Sequence, residues 1–139
     1  KKTQLRIPPQ SIDAERATGA PKSELVSDLV LALSEGQTEK ALVAVKKAEA
    51  EDVDMHLYLS LVLEYMRSVL LVRYAPELRQ EIQTEIGEDQ WKGVETLALS
   101  KESKLSHETL KVFLDAMSRI RFSPIPALSL ELAILELSK

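Results

Sequence analysis

The chain has 139 residues, of which 45% are hydrophobic and 29% charged, with a formal net charge of −4 and a pI near 5.3. That length suits one domain, or one domain with an appended arm. The acidic balance argues against nucleic-acid binding through the bulk of the surface, because phosphate contacts need clustered Lys and Arg. The dense basic clusters, Lys1-Lys2 with Arg6 and Arg119 with Arg121, read as solvated charges.

Cysteine is absent, which excludes disulfides and thiolate metal sites and suits a reducing compartment. Aromatic residues are only 4% of the chain, so its core must be built from Leu, Val, Ile and Ala, a composition that favours helices packed on helices. The chain begins with Lys1 and shows no signal-peptide pattern. Its longest apolar stretch, Met55 to Ala75, carries Glu64, Arg67 and Arg73, which argues against a membrane span. The expectation is a fragment of a larger cytoplasmic protein.

In chain order, Lys1 to Gln10 contains Pro8-Pro9 and reads as an extended arm, with a weak strand pattern at Leu5 to Ile7. Ser11 to Glu15 begins a short helix that stops at Gly19, with Pro21 just beyond. Residues 1–22 therefore read as a linker or the tail of a preceding domain, and residues 23–139 as one helical domain.

From Ser23, a plausible N-cap, Leu25, Val26, Leu29, Val30 and Leu33 repeat at helical spacing until Gly36. Thr38 caps a second helix with Ala41, Leu42, Val45 and Ala48 on one face and Glu39, Lys46, Lys47 and Glu49 opposite. The short link makes the two an antiparallel hairpin. Each is amphipathic, so the pair must lean on something else.

That support is Met55 to Ala75, capped by Asp54. At about 100° per residue, His56, Ser60, Glu64, Arg67 and Ser68 share one narrow polar stripe, with Glu64 and Arg67 spaced to pair. Leu59, Leu61, Val62, Leu63, Tyr65, Met66, Val69, Leu70 and Val72 cover most of the rest. This is the central helix of a bundle.

Pro76 interrupts the pattern. Glu77 to Ile86 predicts a polar helix with the seam Leu78, Ile82 and Ile86, closed by Gly87. Asp89 to Ser100 predicts another, anchored by Trp91, Val94, Leu97 and Ala98 and weakened by Gly93. Ser106 caps the next, with Leu105 placed to staple against Leu110 and a buried face of Leu110, Phe113, Leu114, Met117 and Ile120. No strand pattern competes in this region. The fold class is all-α: a compact bundle of about six helices, opening with an antiparallel hairpin around a long central helix over residues 55–75.

The patterns that carry chemistry are missing. The four glycines, Gly19, Gly36, Gly87 and Gly93, cannot supply a phosphate-cradling P-loop. His56 and His107 have no partner at metal-ligand spacing, and no nucleophile elbow occurs. The expectation is no catalytic residue, no metal and no cofactor in this chain.

The last segment, Ala127 to Ser138, carries two opposed apolar strips. Leu128, Leu132 and Leu135 form one; Leu130, Ala133, Ile134 and Leu137 form a broader one about 180° away. Ser129 and Glu136 separate them on one side, Glu131 and Ser138 on the other. Such a helix needs two partners, either two internal neighbours or one internal and one external. The broader strip is assigned to the core and the narrower one to a neighbouring subunit. Pro124 and Pro126 hold the approach extended.

The stretch Arg121-Phe122-Ser123-Pro124-Ile125-Pro126-Ala127-Leu128-Ser129-Leu130-Glu131-Leu132-Ala133-Ile134-Leu135-Glu136-Leu137 resembles the closing motif of the third domain of the gamma/tau subunit of bacterial DNA polymerase III. The family pattern, R-x-S-P-x-P-x-L-x-L-E-x-A-x-L-x-L, is met at Arg121, Ser123, Pro124, Pro126, Leu128, Leu130, Glu131, Ala133, Leu135 and Leu137. Leu25 to Leu42 resembles that domain's opening hairpin, and Leu63-Glu64-Tyr65-Met66-Arg67 with Leu70-Leu71 its "LLEYLRDLLL" helix. Ser11 to Pro21 is similar to the end of the preceding small domain.

The resemblance implies a collar domain of the clamp loader, which opens the sliding clamp and places it on primed DNA. Its implied partners are other gamma/tau copies and the delta and delta-prime subunits, with no direct nucleic-acid or membrane contact. ATP and magnesium would belong to an ATPase region outside this chain. The rival reading is a helical-hairpin scaffold unrelated to replication, though no second copy of the hairpin recurs at a fixed period.

Overall fold

The computed structural model describes residues 23–138. The arm, the short helix and the linker read at residues 1–22 lie outside the described residues. Seven α-helices occupy the described residues: α1 (Ser23–Glu35), α2 (Thr38–Ala50), α3 (Met55–Tyr74), α4 (Arg79–Ile86), α5 (Glu88–Leu99), α6 (His107–Arg119) and α7 (Pro126–Leu137). Single 3-10 turns sit at Pro76–Leu78 and Ile120–Phe122, and no strand occurs among these residues. The fold is all-α.

Helix α3 is the axis of the bundle, packed against α1, α5 and α6, while α2 closes over α1 and α7 from outside. Asp54 caps α3, its carboxylate accepting the Leu57 N–H at 3.0 Å. By length and composition this helix could cross a membrane, yet half of it is buried inside the bundle. Leu59, Val62, Met66 and Val69 are wholly buried, so its apolar character is spent on the core. The Tyr58 hydroxyl donates to the Leu25 carbonyl at 2.9 Å, tying α3 to α1 across 33 residues of sequence. Burial, and secondarily the charge of Asp28, push its phenol well above the ordinary range.

Arg73 closes the far end of the axis. Its guanidinium donates to the carbonyls of Leu97 at 3.0 Å and Leu105 at 3.1 Å, and to that of Ala98 at 3.4 Å. A helix C-terminus leaves its last carbonyls without partners; Arg73 serves two of those of α5 and pins the following loop. That loop is also held to the first hairpin: the Lys104 N–H donates to the Ser34 carbonyl at 2.8 Å. The Lys104 side chain crosses directly over Gly36, whose φ of 69° suits a residue without a Cβ.

Several details depart from the sequence reading. Thr38 is the first residue of α2 and Gln37 holds the N-cap position, without a side-chain cap. Ser68, read as part of the polar stripe, is buried. No ion pair joins Glu64 to Arg67 among the described residues, both being exposed to solvent. Leu114 points outward at 62% exposure, because the face of α6 turned to the core is Thr109, Phe113, Ala116 and Ile120. That series contains small residues that allow close packing, and Leu114 lies one residue, about 100°, off it.

Gly93 has a reason that its helix position alone conceals. A Cβ there would collide with the Tyr65 hydroxyl. Alanine is intrinsically the better helix former by about 1 kcal/mol, yet overpacking costs typically about 1–3 kcal/mol. Gly93→Ala should therefore lower stability in chemical denaturation, and the same change made with Tyr65→Phe should be neutral or stabilising. A stabilising Gly93→Ala alone would show that the contact is slack.

Alkaline unfolding provides a second check. Tyr58 keeps its proton in the folded chain at pH values where the unfolded phenol, near 10, has lost it. The folded state then binds more protons, so stability falls as pH rises above about 10, by up to about 1.4 kcal/mol per unit for this group. Tyr58→Phe should flatten that fall. An unchanged slope would assign the alkaline loss elsewhere, with Tyr65, also raised by burial, the next group to test.

Candidate interaction surface

The approach to α7 is built by the residues of the S-P-x-P stretch. The Ser123 hydroxyl accepts the Ile125 N–H at 3.1 Å and donates to the Ile125 carbonyl at 2.7 Å. Ile125 is thereby held extended, at φ −125° and ψ 95°, as residues before proline favour. Pro126 then takes the first helical position, where its missing N–H costs nothing. Ser123 braces the turn, and the two prolines aim the helix.

Helix α7 lands on α6 and α2. Leu130, Ala133 and Ile134 are at most 4% exposed, and Ala127 and Ser129 are buried beside them. Leu137, of the same strip, is half-buried. The opposite strip faces out: Leu128 is 38% exposed, Leu132 52% and Leu135 46%. Glu131 is half-buried at the strip's edge, and Glu136 and Arg121 are exposed.

Other exposed apolar side chains lie close to the strip in sequence. Among the described residues ten large hydrophobic side chains are exposed, and six of them lie between residues 114 and 135: Leu114, Phe122, Ile125, Leu128, Leu132 and Leu135. Phe122, at 85%, is the most exposed of all. Scattered exposed leucines are normal, but apolar residues gathered on one segment mark contact surfaces. Sequence reasoning missed Phe122 and Ile125. The available signal was their place in the turn, with Ile125 between two prolines where neither helix can draw it inward.

Elsewhere the residues weighed for chemistry stay apart. His56 is half-buried at the start of α3, and His107 meets its neighbour Glu108, at 3.3 Å on the surface. Among the described residues no group of three His, Asp or Glu side chains could hold a metal ion.

An all-helical domain whose last helix is seated by a serine–proline turn and leaves a leucine strip outside is the class defined here. A family model described as DNA polymerase III subunits gamma and tau domain III matches residues 13–139, and the chain belongs to that family. The match begins ten residues before α1, inside the segment read as a linker. A comparison with curated proteins finds none that matches significantly.

The two strips of α7 should respond differently to truncation. Leu130→Ala removes a fully buried side chain and should cost about 2–5 kcal/mol. Leu132→Ala removes one that is half in solvent and should change stability by less than about 0.5–1 kcal/mol. Urea titration of both variants checks this. Equal losses would mean that the outer strip is covered from within.

Proposed function

We propose that this domain is a non-catalytic collar domain of a clamp loader in the cytoplasm. It joins one gamma/tau subunit to other gamma/tau copies and to the delta and delta-prime subunits, so that the sliding clamp can be loaded during DNA replication. The family assignment supports the setting. The observation that carries the assembly role is the outward leucine strip of α7, with Phe122 and Ile125 exposed in the turn that precedes it. An apolar surface of this kind lowers free energy when a neighbour removes it from water, by roughly 25 cal/mol per Å².

Within this reading, Arg121, Ser123, Pro124, Pro126, Leu130, Glu131, Ala133 and Leu137 build and orient the helix, while Leu128, Leu132 and Leu135 meet the neighbour. ATP and magnesium act in another region of the parent subunit.

Leu132→Glu is the direct test. Position 132 is 52% exposed, so the variant should keep its circular dichroism spectrum and melting temperature. Placing a charge in an apolar contact should nonetheless weaken capture by gamma/tau, delta and delta-prime at least about tenfold. Unchanged assembly would remove α7 from the interface. Titration calorimetry of the chain with magnesium–ATP should show no stoichiometric binding, and binding would overturn the division of labour.

A further inference from the structure

A cleft of about 340 Å³ opens where α1, α3 and the corner between α4 and α5 meet, and no residue of α7 lines it. Two of its lining residues, Tyr65 and Ser68 of α3, are each only 6% exposed. Their hydroxyls make no hydrogen bond among the described residues. Other helical hydroxyls in the chain are satisfied locally: those of Ser27, Ser34, Thr84, Thr96 and Ser118 donate to carbonyls three or four residues earlier. Ser68 forgoes that bond. A buried hydroxyl left unpaired costs stability, so a pair of them in one cleft marks a place that an added polar molecule completes.

The charges of the cleft narrow the chemistry of that molecule. Glu64 and Arg67 stand three residues apart on α3, about 4.5 Å along its axis. Glu85 lines the cleft from α4. None of the three is in an ion pair among the described residues. A simple anion would meet two carboxylates here, and a simple cation would meet the Arg67 guanidinium. A small molecule carrying both signs uses all three groups. Its ammonium goes to Glu64 and Glu85, and its carboxylate to Arg67. The hydroxyls of Tyr65 and Ser68 and the amide of Gln90 serve its remaining donors and lone pairs. The rest of the lining is aliphatic: Val26, Leu61 and Ile86.

We infer that this cleft binds a free α-amino acid with an aliphatic side chain. The volume lies at the small end of ligand pockets, which suits a molecule of that size. The inference stands apart from the collar reading, because the two use different surfaces.

NMR titration of the 139-residue chain with L-leucine provides the test. Backbone amides over residues 64–68 and 85–90 should shift saturably, with a Kd in the low millimolar range that is open to so small a ligand. Isopentylamine, which lacks the carboxylate, and 4-methylpentanoate, which lacks the ammonium, should bind at least about tenfold more weakly. Glu85→Gln and Arg67→Gln, both at exposed positions, should each weaken leucine at least about fivefold. Ser68→Ala should weaken it about threefold or more while leaving the melting temperature unchanged or higher, because it removes an unpaired buried hydroxyl. A merely structural Ser68 would instead lower the melting temperature and leave the Kd alone. No saturable shift below about 50 mM leucine, analogues that bind as well as leucine, or variants that bind unchanged would overturn the inference.

Discussion

The long apolar face of helix α3 cannot stand against water, and the rest of the fold follows from covering it. Tyr58, Leu59, Val62, Met66 and Val69 are wholly buried and share one face of the helix, which requires several neighbours along that side. Helices α1, α5 and α6 supply them, and α2 and α7 form an outer layer. The polar contacts reinforce the same axis. Tyr58 reaches α1 near its start, and Arg73 reaches the end of α5 and the loop beyond it. The axis carries its own fasteners at both ends.

The outer layer is where the fold meets its surroundings. A helix added last to a finished core buries one side only, and α7 does this with Leu130, Ala133 and Ile134. Its other side, Leu128, Leu132 and Leu135, is also apolar and stays partly exposed. The Ser123–Ile125 hydrogen bonds and Pro126 fix the direction in which that side points. If the strip meets a neighbour as proposed, a surface placed by a rigid turn does not have to be ordered on contact, which lowers the entropy cost of assembly.

Much of this was legible from sequence because period and punctuation agree. Asp54, Gly36 and Gly87 mark real ends, and the 3.6-residue pattern of Leu25 to Leu33 and of Met55 to Tyr74 identifies buried faces. The two strips of α7 separate cleanly on a helical projection for the same reason. What the pattern could not show is long-range. The contact between Tyr65 and Gly93 turns an apparent helix weakness into a packing requirement, and nothing local announces it. Arg73 looked like a charge in an apolar run, yet its guanidinium finds carbonyls 24 to 32 residues away. Leu114 was misplaced because hydrophobicity alone cannot say that α6 turns Thr109 and Ala116, the smaller residues, inward.

The central claim is that the strip of α7 lies outside the domain and inside the assembly. The chain contains no cysteine, so a single cysteine placed in it is a unique thiol whose labelling rate reports its exposure. Leu132→Cys should react quickly in the free domain and at least about tenfold more slowly once gamma/tau copies, delta and delta-prime have assembled around it. Leu130→Cys should be protected in both states. A thiol at position 132 that labels equally fast in the free and assembled forms would contradict the account.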